Sequence, residues 1–142
     1  MKPVRLREFE FPEDYPAVYE LWLQAGPGIQ LRRSDEAEEI QKKVERDPDL
    51  FLIAEAEGEI VGTVMGGFDG RRGMVYHLAV APAFRKQGIA SALMAELEQR
   101  FRAKGCIRYY LLVTQDNHEA SEFYERRGCK AMTIRTYGKD LV

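Results

Sequence analysis

The chain has 142 residues, of which 45% are hydrophobic and 31% charged, and its formal net charge is −2. This length and composition predict a single globular domain over residues 1–142 and exclude a disordered chain. The slight net negative charge argues against nucleic acid or an acidic membrane as a partner, so any anion site has to be built from local basic groups.

Cysteine usage and the N-terminal segment predict a cytoplasmic protein. The two cysteines, Cys106 and Cys129, fit neither a metal-ligand spacing nor a disulfide framework, so we expect free thiols and no metal site. The first residues become charged at once and offer no apolar signal core. No apolar run approaches the length needed to span a bilayer.

Alternation and turn signals in the first half of the chain predict the order β-α-α-β-β-β. The predicted elements are a strand over 4–9, a helix from Pro12 to about 26, a helix from Ser34 to 46, and strands over 50–55, 60–68 and 74–80. Ser34 is the expected N-cap of the second helix, and Asp35 lies in its first turn on a face that we expect to be solvated. The three strands form an antiparallel meander.

The second half predicts the order α-β-α-β(-β). An amphipathic helix over 88–104 carries Leu93, Leu97 and Phe101 at every fourth position, and Gly105 ends it. The almost continuously apolar stretch 107–113 predicts a strand buried on both faces, parallel to 74–80. A helix over 119–127 and one or two edge strands over 129–141 follow, and such edges could pair two copies as a homodimer.

These elements predict an α/β (α+β) fold class, with a mixed, mostly antiparallel sheet and helices on both faces. Where strand 74–80 turns into the helix, Arg85, Lys86 and Gly88 predict an anion site. Free N–H groups and the helix dipole favour phosphate there, and Gly88 lets the backbone approach a ligand. Two cations alone are more often part of a solvated turn than of an anion site, but Gly88 directly before a helix favours the anion site. No Gly-Lys-Ser/Thr follows, which argues against a nucleoside triphosphatase.

Two segments resemble the GCN5-related (GNAT) N-acetyltransferases. The run Arg85-Lys86-Gln87-Gly88-Ile89-Ala90 fits the Q/R-x-x-G-x-G/A pattern of that family, and residues 117–128 resemble its N-x-x-A-x-x-F/Y-Y-E-x-x-G segment. The order of the predicted elements along the whole chain is also similar. Residues 62–73 look closest to the bacterial YpeA-type subgroup of the family.

The resemblance implies transfer of an acetyl group from acetyl-coenzyme A to a primary amine. It implies that the backbone of one loop holds the pyrophosphate, with these residues: Arg85, Lys86, Gln87, Gly88, Ile89, Ala90 and Ser91. The edge of Leu78, Ala79 and Val80 would pair with the pantetheine amides, which requires strands 74–80 and 107–113 to splay apart. Asn117 would contact the cofactor from the opposite wall.

The resemblance also marks Tyr124 as the catalytic residue, a donor to the departing thiolate. A tyrosine has an ordinary pKa of about 10 and a thiol one of about 8.5, so full proton transfer is uphill by roughly 2 kcal/mol. A hydrogen bond that strengthens as charge builds on sulfur is the more economical role. Periodicity alone would equally allow Tyr124 to pack against Phe123.

The base that deprotonates the acceptor amine is left open by the sequence. Strand 74–80 has no carboxylate, and His77 is its one side chain of a type that titrates near neutrality. Alternation places His77 on the face opposite Val80 unless a bulge changes the parity. A water chain or a substrate that loses its own proton are the favoured alternatives, and the pH–rate profile of His77→Gln distinguishes them.

Three functions are compatible with these residues. We favour a small-molecule amine as acceptor, since the tail after Gly128 is short; a protein N-terminus or lysine is the alternative. A non-catalytic sensor that binds acetyl-coenzyme A is the third, and Tyr124 in its motif argues against it. The loop 25–33 is the candidate acceptor wall, where Arg32 and Arg33 would favour a carboxylate or phosphate on the acceptor.

Overall fold

The computed structural model describes residues 3–142, which fall into two compact units that divide between Leu112 and Val113. The first unit contains β1 Val4–Glu8, α1 Tyr15–Gln24, α2 Ala37–Arg46, β2 Phe51–Ala56, β3 Glu59–Phe68, β4 Gly73–Val80, α3 Ile89–Ala103 and β5 Tyr109–Leu111. Two short 3-10 turns, Arg33–Asp35 and Pro82–Phe84, also lie in it. The second unit contains α4, His118–Arg126, followed by the tail.

The sheet of the first unit has five strands in the order β1-β2-β3-β4-β5. From β1 to β4 each strand is antiparallel to the next, and β5 is parallel to β4. The parallel step follows from α3, which carries the chain from the end of β4 back to the start of β5. The predicted fold class is therefore confirmed, as a mixed and mostly antiparallel sheet.

Helices cover both faces of this sheet because successive strand residues point to opposite sides. On one face, Phe51 and Ile53 of β2 join the core cluster around Trp22 of α1. On the other face, α3 lies close to Gly66 of β3, where an added Cβ would be 2.8 Å from a methyl group of Leu97. The glycine thus permits a close approach between helix and sheet.

The start of α2 differs from the prediction. Ser34 lies inside the 3-10 turn Arg33–Asp35, and α2 begins only at Ala37, after an extended Glu36. Glu36 is the N-cap of α2 and makes no side-chain cap hydrogen bond. The carboxylate of Asp35 instead closes the 3-10 turn, where it accepts the N–H of Arg32 at 3.0 Å. Asp35 is also buried rather than solvated, because this hydrogen bond folds its side chain inward.

The predicted strand over 107–113 is shorter in the structure, and its burial on both faces is wrong. Only Tyr109–Leu111 pairs with β4, and Ile107 and Leu112 are 93% and 65% exposed. The reason is position: β5 is the last strand in the sheet order, and a strand at an edge is covered less than a central one.

Residues 129–142 form no strand, so the edge strands predicted over 129–141 are not found. Their large apolar side chains are exposed, including Tyr137 and Leu141. A strand forms only where a partner edge satisfies its N–H and C=O groups, and the alternation read from sequence carries no information about such an edge.

No helix in residues 3–142 is long and apolar enough to cross a membrane. Cys106 and Cys129 are both free thiols. Within the same range, no three His, Cys, Asp or Glu side chains come together in an arrangement that could hold a metal ion.

Candidate active site

The candidate phosphate loop links β4 to α3 through the 3-10 turn Pro82–Phe84. Two of its residues, Lys86 and Gly88, have φ values of +62° and +83°, in the left-handed region. Gly88 is the N-cap of α3 and makes no side-chain cap hydrogen bond. The side chains of Arg85, Lys86 and Gln87 are exposed. The loop therefore turns sharply at the surface and enters the helix without a side chain over its first turn.

Backbone amides at the start of α3 have no hydrogen-bond partner. The N–H of Ala92 donates to the carbonyl of Gly88 at 3.0 Å. Over the described residues, no hydrogen bond is made by the amides that precede it, which belong to Gln87, Gly88, Ile89, Ala90 and Ser91. A helix N-terminus of this kind favours an anion through its unpaired donors and through the helix dipole.

Arg85 ties the loop to its surroundings. Its Nε donates to the carbonyl of Val80 at 3.1 Å, and its Nη2 donates to the carbonyl of Ala25 at 3.4 Å. Lys86 has no ion-pair partner within residues 3–142. The sequence treated the two cations alike, whereas the structure gives Arg85 a bracing role and leaves Lys86 as the cation available to an anion.

The second half of β4 has an uncovered edge. Pairing between β4 and β5 ends at Val75 and Leu111, so no described strand pairs with β4 on that side from Tyr76 to Val80. The end of this pairing is compatible with the expected splaying of 74–80 from 107–113, which stays a prediction. The predicted pantetheine contacts, Leu78, Ala79 and Val80, lie along this uncovered edge.

A bulge interrupts β4 within that edge. Met65 of β3 pairs with Tyr76, and Thr63 pairs with Ala79. Two residues of β4, His77 and Leu78, therefore lie opposite a single residue of β3. His77 has a φ of +50°. A left-handed backbone costs a non-glycine residue roughly 1–2 kcal/mol, so the surrounding contacts have to hold it in place.

His77 packs against α1. Its ring lies edge-on to Trp22, with 4.9 Å between the ring centroids. Val80 pairs with Gly62, whose missing Cβ faces α3, so Val80 belongs to the other face of the sheet. His77 and Val80 therefore lie on opposite faces of the sheet, as alternation predicted. The bulge instead changes the face on which the residues before His77 lie.

The partner of His77 is Asp35. The distance between His77 Nε2 and Asp35 Oδ1 is 2.8 Å, and the two side chains are 17% and 5% exposed. The hydroxyl of Tyr15 donates to the backbone carbonyl of Asp35 at 2.7 Å, which fixes the same turn to α1. Sequence reasoning missed Asp35, because 42 residues separate it from His77 and its helical register suggested a solvated face.

The predicted acceptor wall, the loop 25–33, carries its arginines at the surface, unlike the buried pair of His77 and Asp35. Arg32 and Arg33 are exposed, and the guanidinium of Arg32 donates to the side-chain oxygen of Gln30 at 2.9 Å. Both side chains therefore lie at the surface.

A surface cavity of about 550 Å³ lies beside the turn Pro82–Phe84. Its wall includes the carboxylates of Glu13, Glu20, Glu55 and Glu59, with Arg7 as a basic residue among them. A wall with this excess of acid repels phosphate, so we do not assign this cavity to the cofactor.

In the second unit, the two predicted site residues lie at the start and in the body of α4. The side-chain oxygen of Asn117 accepts the N–H of Ala120 at 3.2 Å and so caps the helix. The ring of Tyr124 lies edge-on to Phe123 at a centroid distance of 5.2 Å. Burial, with a smaller contribution from Cys129, raises the pKa of Tyr124 to about 12. Its hydroxyl is therefore a protonated donor at neutral pH.

Comparison with known proteins places these features in a family. A model of the acetyltransferase (GNAT) family matches residues 15–129. A relative from Pectobacterium atrosepticum, described as an acetyltransferase, is 44% identical over 130 residues, which are 92% of this chain and 91% of that protein. The closer resemblance to the YpeA-type subgroup stays a prediction.

Solved structures share the fold. Ard1 from Thermoplasma volcanium matches with a TM-score of 0.77 and 26% identity, over 88% of this chain and 81% of its own. The PaiA N-acetyltransferase from Thermoplasma acidophilum, solved in complex with coenzyme A, matches with a TM-score of 0.80 and 20% identity, over 94% and 93% of the two chains. From the matched segment and the identity along nearly the whole chain, this protein belongs to the GNAT family of acetyltransferases.

Proposed function

We propose that this protein is an N-acetyltransferase that moves an acetyl group from acetyl-coenzyme A to a primary amine of a small acceptor. The single observation that supports it most is the row of unpaired amides at 87–91, next to the uncovered edge of β4. Membership of the GNAT family supports the acetyl transfer itself. The coenzyme A complex of a protein with the same fold supports the choice of acyl donor.

The loop and the strand edge would share the cofactor between them. The amides of residues 87–91 hold the pyrophosphate, Lys86 adds a positive charge, and Arg85 braces the loop. The edge of Leu78, Ala79 and Val80 pairs with the pantetheine amides as an added strand would. Asn117 is the contact that we propose from the second unit. When bound, acetyl-coenzyme A supplies an acyl carbon that is activated by its thiol leaving group.

Tyr124 would stabilise the leaving sulfur by donating a hydrogen bond. With a pKa of about 12 against about 8.5 for an ordinary thiol, full proton transfer to the thiolate is uphill by about 5 kcal/mol. A hydrogen bond carries no such cost and strengthens as negative charge builds. The thiolate then takes its proton from solvent.

The acceptor is the finer part of the proposal. The exposed Arg32 and Arg33 favour an acceptor that carries a carboxylate or a phosphate besides its amine. A protein N-terminus or lysine is the second candidate, and the same assay separates the two.

The experiment measures thiol release. The protein is incubated with acetyl-coenzyme A and a panel of amines that includes amino acids, phosphorylated amines and short peptides, and the products are identified by mass spectrometry. We expect release above the hydrolysis background together with an N-acetylated small amine. Acetylation of peptides alone would move the acceptor to the second candidate. Calorimetric binding of coenzyme A without turnover on any amine would contradict the enzyme and favour a sensor.

A further inference from the structure

We propose that His77 and Asp35 act together as the base for the acceptor amine, with His77 Nδ1 taking the proton and Asp35 positioning the ring. This inference rests on the proposed acetyl transfer. His77 is the catalytic residue of the pair, since it would touch the amine. Asp35 is a positioning residue, since it acts through His77.

The hydrogen bond between the two side chains fixes the tautomer. An ionised carboxylate can only accept, so His77 Nε2 carries the hydrogen that bridges the 2.8 Å to Asp35 Oδ1. Nδ1 is then the nitrogen with a free lone pair. Over the described residues, His77 Nδ1 has no hydrogen-bond partner. It is also not one of the unpartnered polar atoms that are fully buried. The basic nitrogen is therefore accessible from outside the protein.

Asp35 is itself held from two sides. Its second carboxylate oxygen accepts the N–H of Arg32 at 3.0 Å, and its backbone carbonyl accepts the hydroxyl of Tyr15 at 2.7 Å. Both contacts are independent of His77. The carboxylate is consequently in place before the imidazole gains a proton, and it stabilises the imidazolium that results.

The backbone of His77 is strained, since its φ lies in the left-handed region. A φ of +50° at a bulge is costly for a side chain other than glycine, and it places the ring between Trp22 and Asp35. Strained residues held by several neighbours are concentrated at functional sites. Here the strain turns one imidazole edge to the carboxylate and leaves the other edge open.

The position of His77 along β4 matches the reactive end of the cofactor. In the proposed complex the phosphates lie at residues 87–91, after the C-terminal end of β4. An arm that pairs with Val80, Ala79 and Leu78 in turn therefore reaches His77 next. The edge of β4 is uncovered there, because pairing with β5 stops at Val75. An amine that attacks the thioester would thus meet the bulge.

The proposed step balances. The acceptor ammonium gives one proton to His77 Nδ1, and the freed nitrogen lone pair forms the C–N bond as the C–S bond breaks. The electron pair of the C–S bond leaves on sulfur, which takes a proton from solvent. The second proton of the nitrogen passes to water, and His77 then returns its own proton to solvent.

One carboxyl group and two phenols lie near His77 on the elements packed around it. Asp35 faces His77 from the 3-10 turn, Tyr15 of α1 bonds to the same turn, and Tyr76 precedes His77 on β4. Burial raises the pKa of Tyr15 and of Tyr76 above the ordinary value of 10.0. A pH dependence below that value is therefore not due to either phenol.

The kinetic test compares His77→Asn with His118→Asn. Asparagine tolerates the left-handed backbone but offers no base, and His118, the other histidine of the chain, is exposed on α4. Near pH 7 we expect His77→Asn to lose about 100-fold or more in kcat/KM for the amine, and His118→Asn to match the wild type. The loss should shrink by about tenfold per pH unit as the free fraction of an amine with a pKa of about 10.4 rises.

A second measurement reads the tautomer without turnover. In ¹⁵N-histidine NMR, with His77→Asn used for assignment, the neutral ring of His77 should carry its hydrogen on Nε2. Asp35→Asn offers an NH₂ donor instead of an acceptor, so it should move the hydrogen to Nδ1 and lower kcat more than it raises KM for acetyl-coenzyme A.

Two results would overturn the inference: a loss in His77→Asn that does not vary with pH, which marks a structural role, or a wild-type ring with its hydrogen on Nδ1. Thiol release by the wild type and by His118→Asn in the same assay keeps the proposed function standing in either case. Failure of the wild type to release thiol with any amine would remove the proposed function, and the base with it.

Discussion

Tyr124 has a hydroxyl that stays protonated throughout the neutral range, since its pKa is about 12. If this hydroxyl stabilises the thiolate, Tyr124→Phe removes a hydrogen bond that is strongest in the transition state. We expect kcat to fall about 100-fold or more, with little change in KM for acetyl-coenzyme A. Tyr137→Phe, which alters an exposed tyrosine of the same unit, is the matched control. A loss below about threefold would remove Tyr124 from the mechanism.

The role of a residue could be predicted where it depends on residues nearby in the sequence. It could not be predicted where it depends on a contact with a residue far away in the sequence. Gly88 is singled out by its place directly before an amphipathic helix, and the structure adds that its φ is left-handed. The contact between His77 and Asp35 joins two side chains whose sequence contexts say nothing about each other. The strained backbone of His77 was equally invisible, because it depends on the register between β3 and β4.

At the scale of elements, Asp14 joins the start of α1 to β1. Its two carboxylate oxygens accept from the Arg7 guanidinium at 2.7 and 2.9 Å, and one of them also accepts the N–H of Glu10 at 2.8 Å. Burial raises the pKa of Asp14, but these hydrogen bonds together outweigh burial, so the net shift of the pKa is downward. A carboxyl with a lowered pKa in the folded state stabilises the fold above its ordinary value of 3.8, and this contribution is lost as the pH falls through the folded pKa.

Asp14→Asn should therefore destabilise the protein in a pH-dependent way. We expect the free energy of unfolding to fall by about 2 kcal/mol near pH 7, and the difference from the wild type to shrink as the pH falls toward about 3. Urea unfolding at the two pH values measures it. Asp116→Asn, an exposed change before α4, should leave both values within about 0.5 kcal/mol of the wild type. An equal loss at both pH values would contradict the assigned role of the charge.

The contact between β3 and α3 depends on the absence of a side chain at Gly66. An added Cβ would lie 2.8 Å from Leu97, 3.0 Å from Phe101 and 3.3 Å from the carbonyl of Leu50. We expect Gly66→Ala to lower the free energy of unfolding by about 1–3 kcal/mol, because buried side chains would have to move. Gly67→Ala is the adjacent control, since its Cβ would have no atom nearer than 3.5 Å. Similar urea midpoints for the two variants would contradict this packing argument.

Elements whose identity depends on local periodicity were predicted well, whereas those that depend on coverage by other elements were not. The helix α3 follows from its apolar repeat, and Leu93, Leu97 and Phe101 are indeed buried. The stretch 107–113 is just as apolar, yet most of it is left outside the three-residue strand β5. Whether an apolar run is covered depends on its place in the sheet order, which periodicity does not record.

For the molecule as a whole, ligand binding and folding are linked. A ligand that binds only the folded chain stabilises it by mass action, by about 2.7 kcal/mol at 100 times its Kd. For a chain of this length, coenzyme A at that concentration should raise Tm by roughly 8 °C. Sulfate at the same ionic strength should produce much less, because a single small anion lacks the pantetheine contacts that we propose along β4.

Two glycine variants test whether this stabilisation arises at the phosphate loop. Gly88 and Gly58 have φ values of +83° and +80°, and neither has an atom within 4 Å of an added Cβ. Alanine therefore introduces a similar backbone strain at both positions, and the unliganded Tm should fall by a similar amount. Only Gly88→Ala places a methyl group on the loop, so we expect it to weaken coenzyme A binding about tenfold or more and to lose most of the Tm increase. If coenzyme A raised the Tm of both variants equally, the nucleotide would bind elsewhere. The backbone strain is similar at the two turns, so only a ligand bound at Gly88 can make the two variants differ.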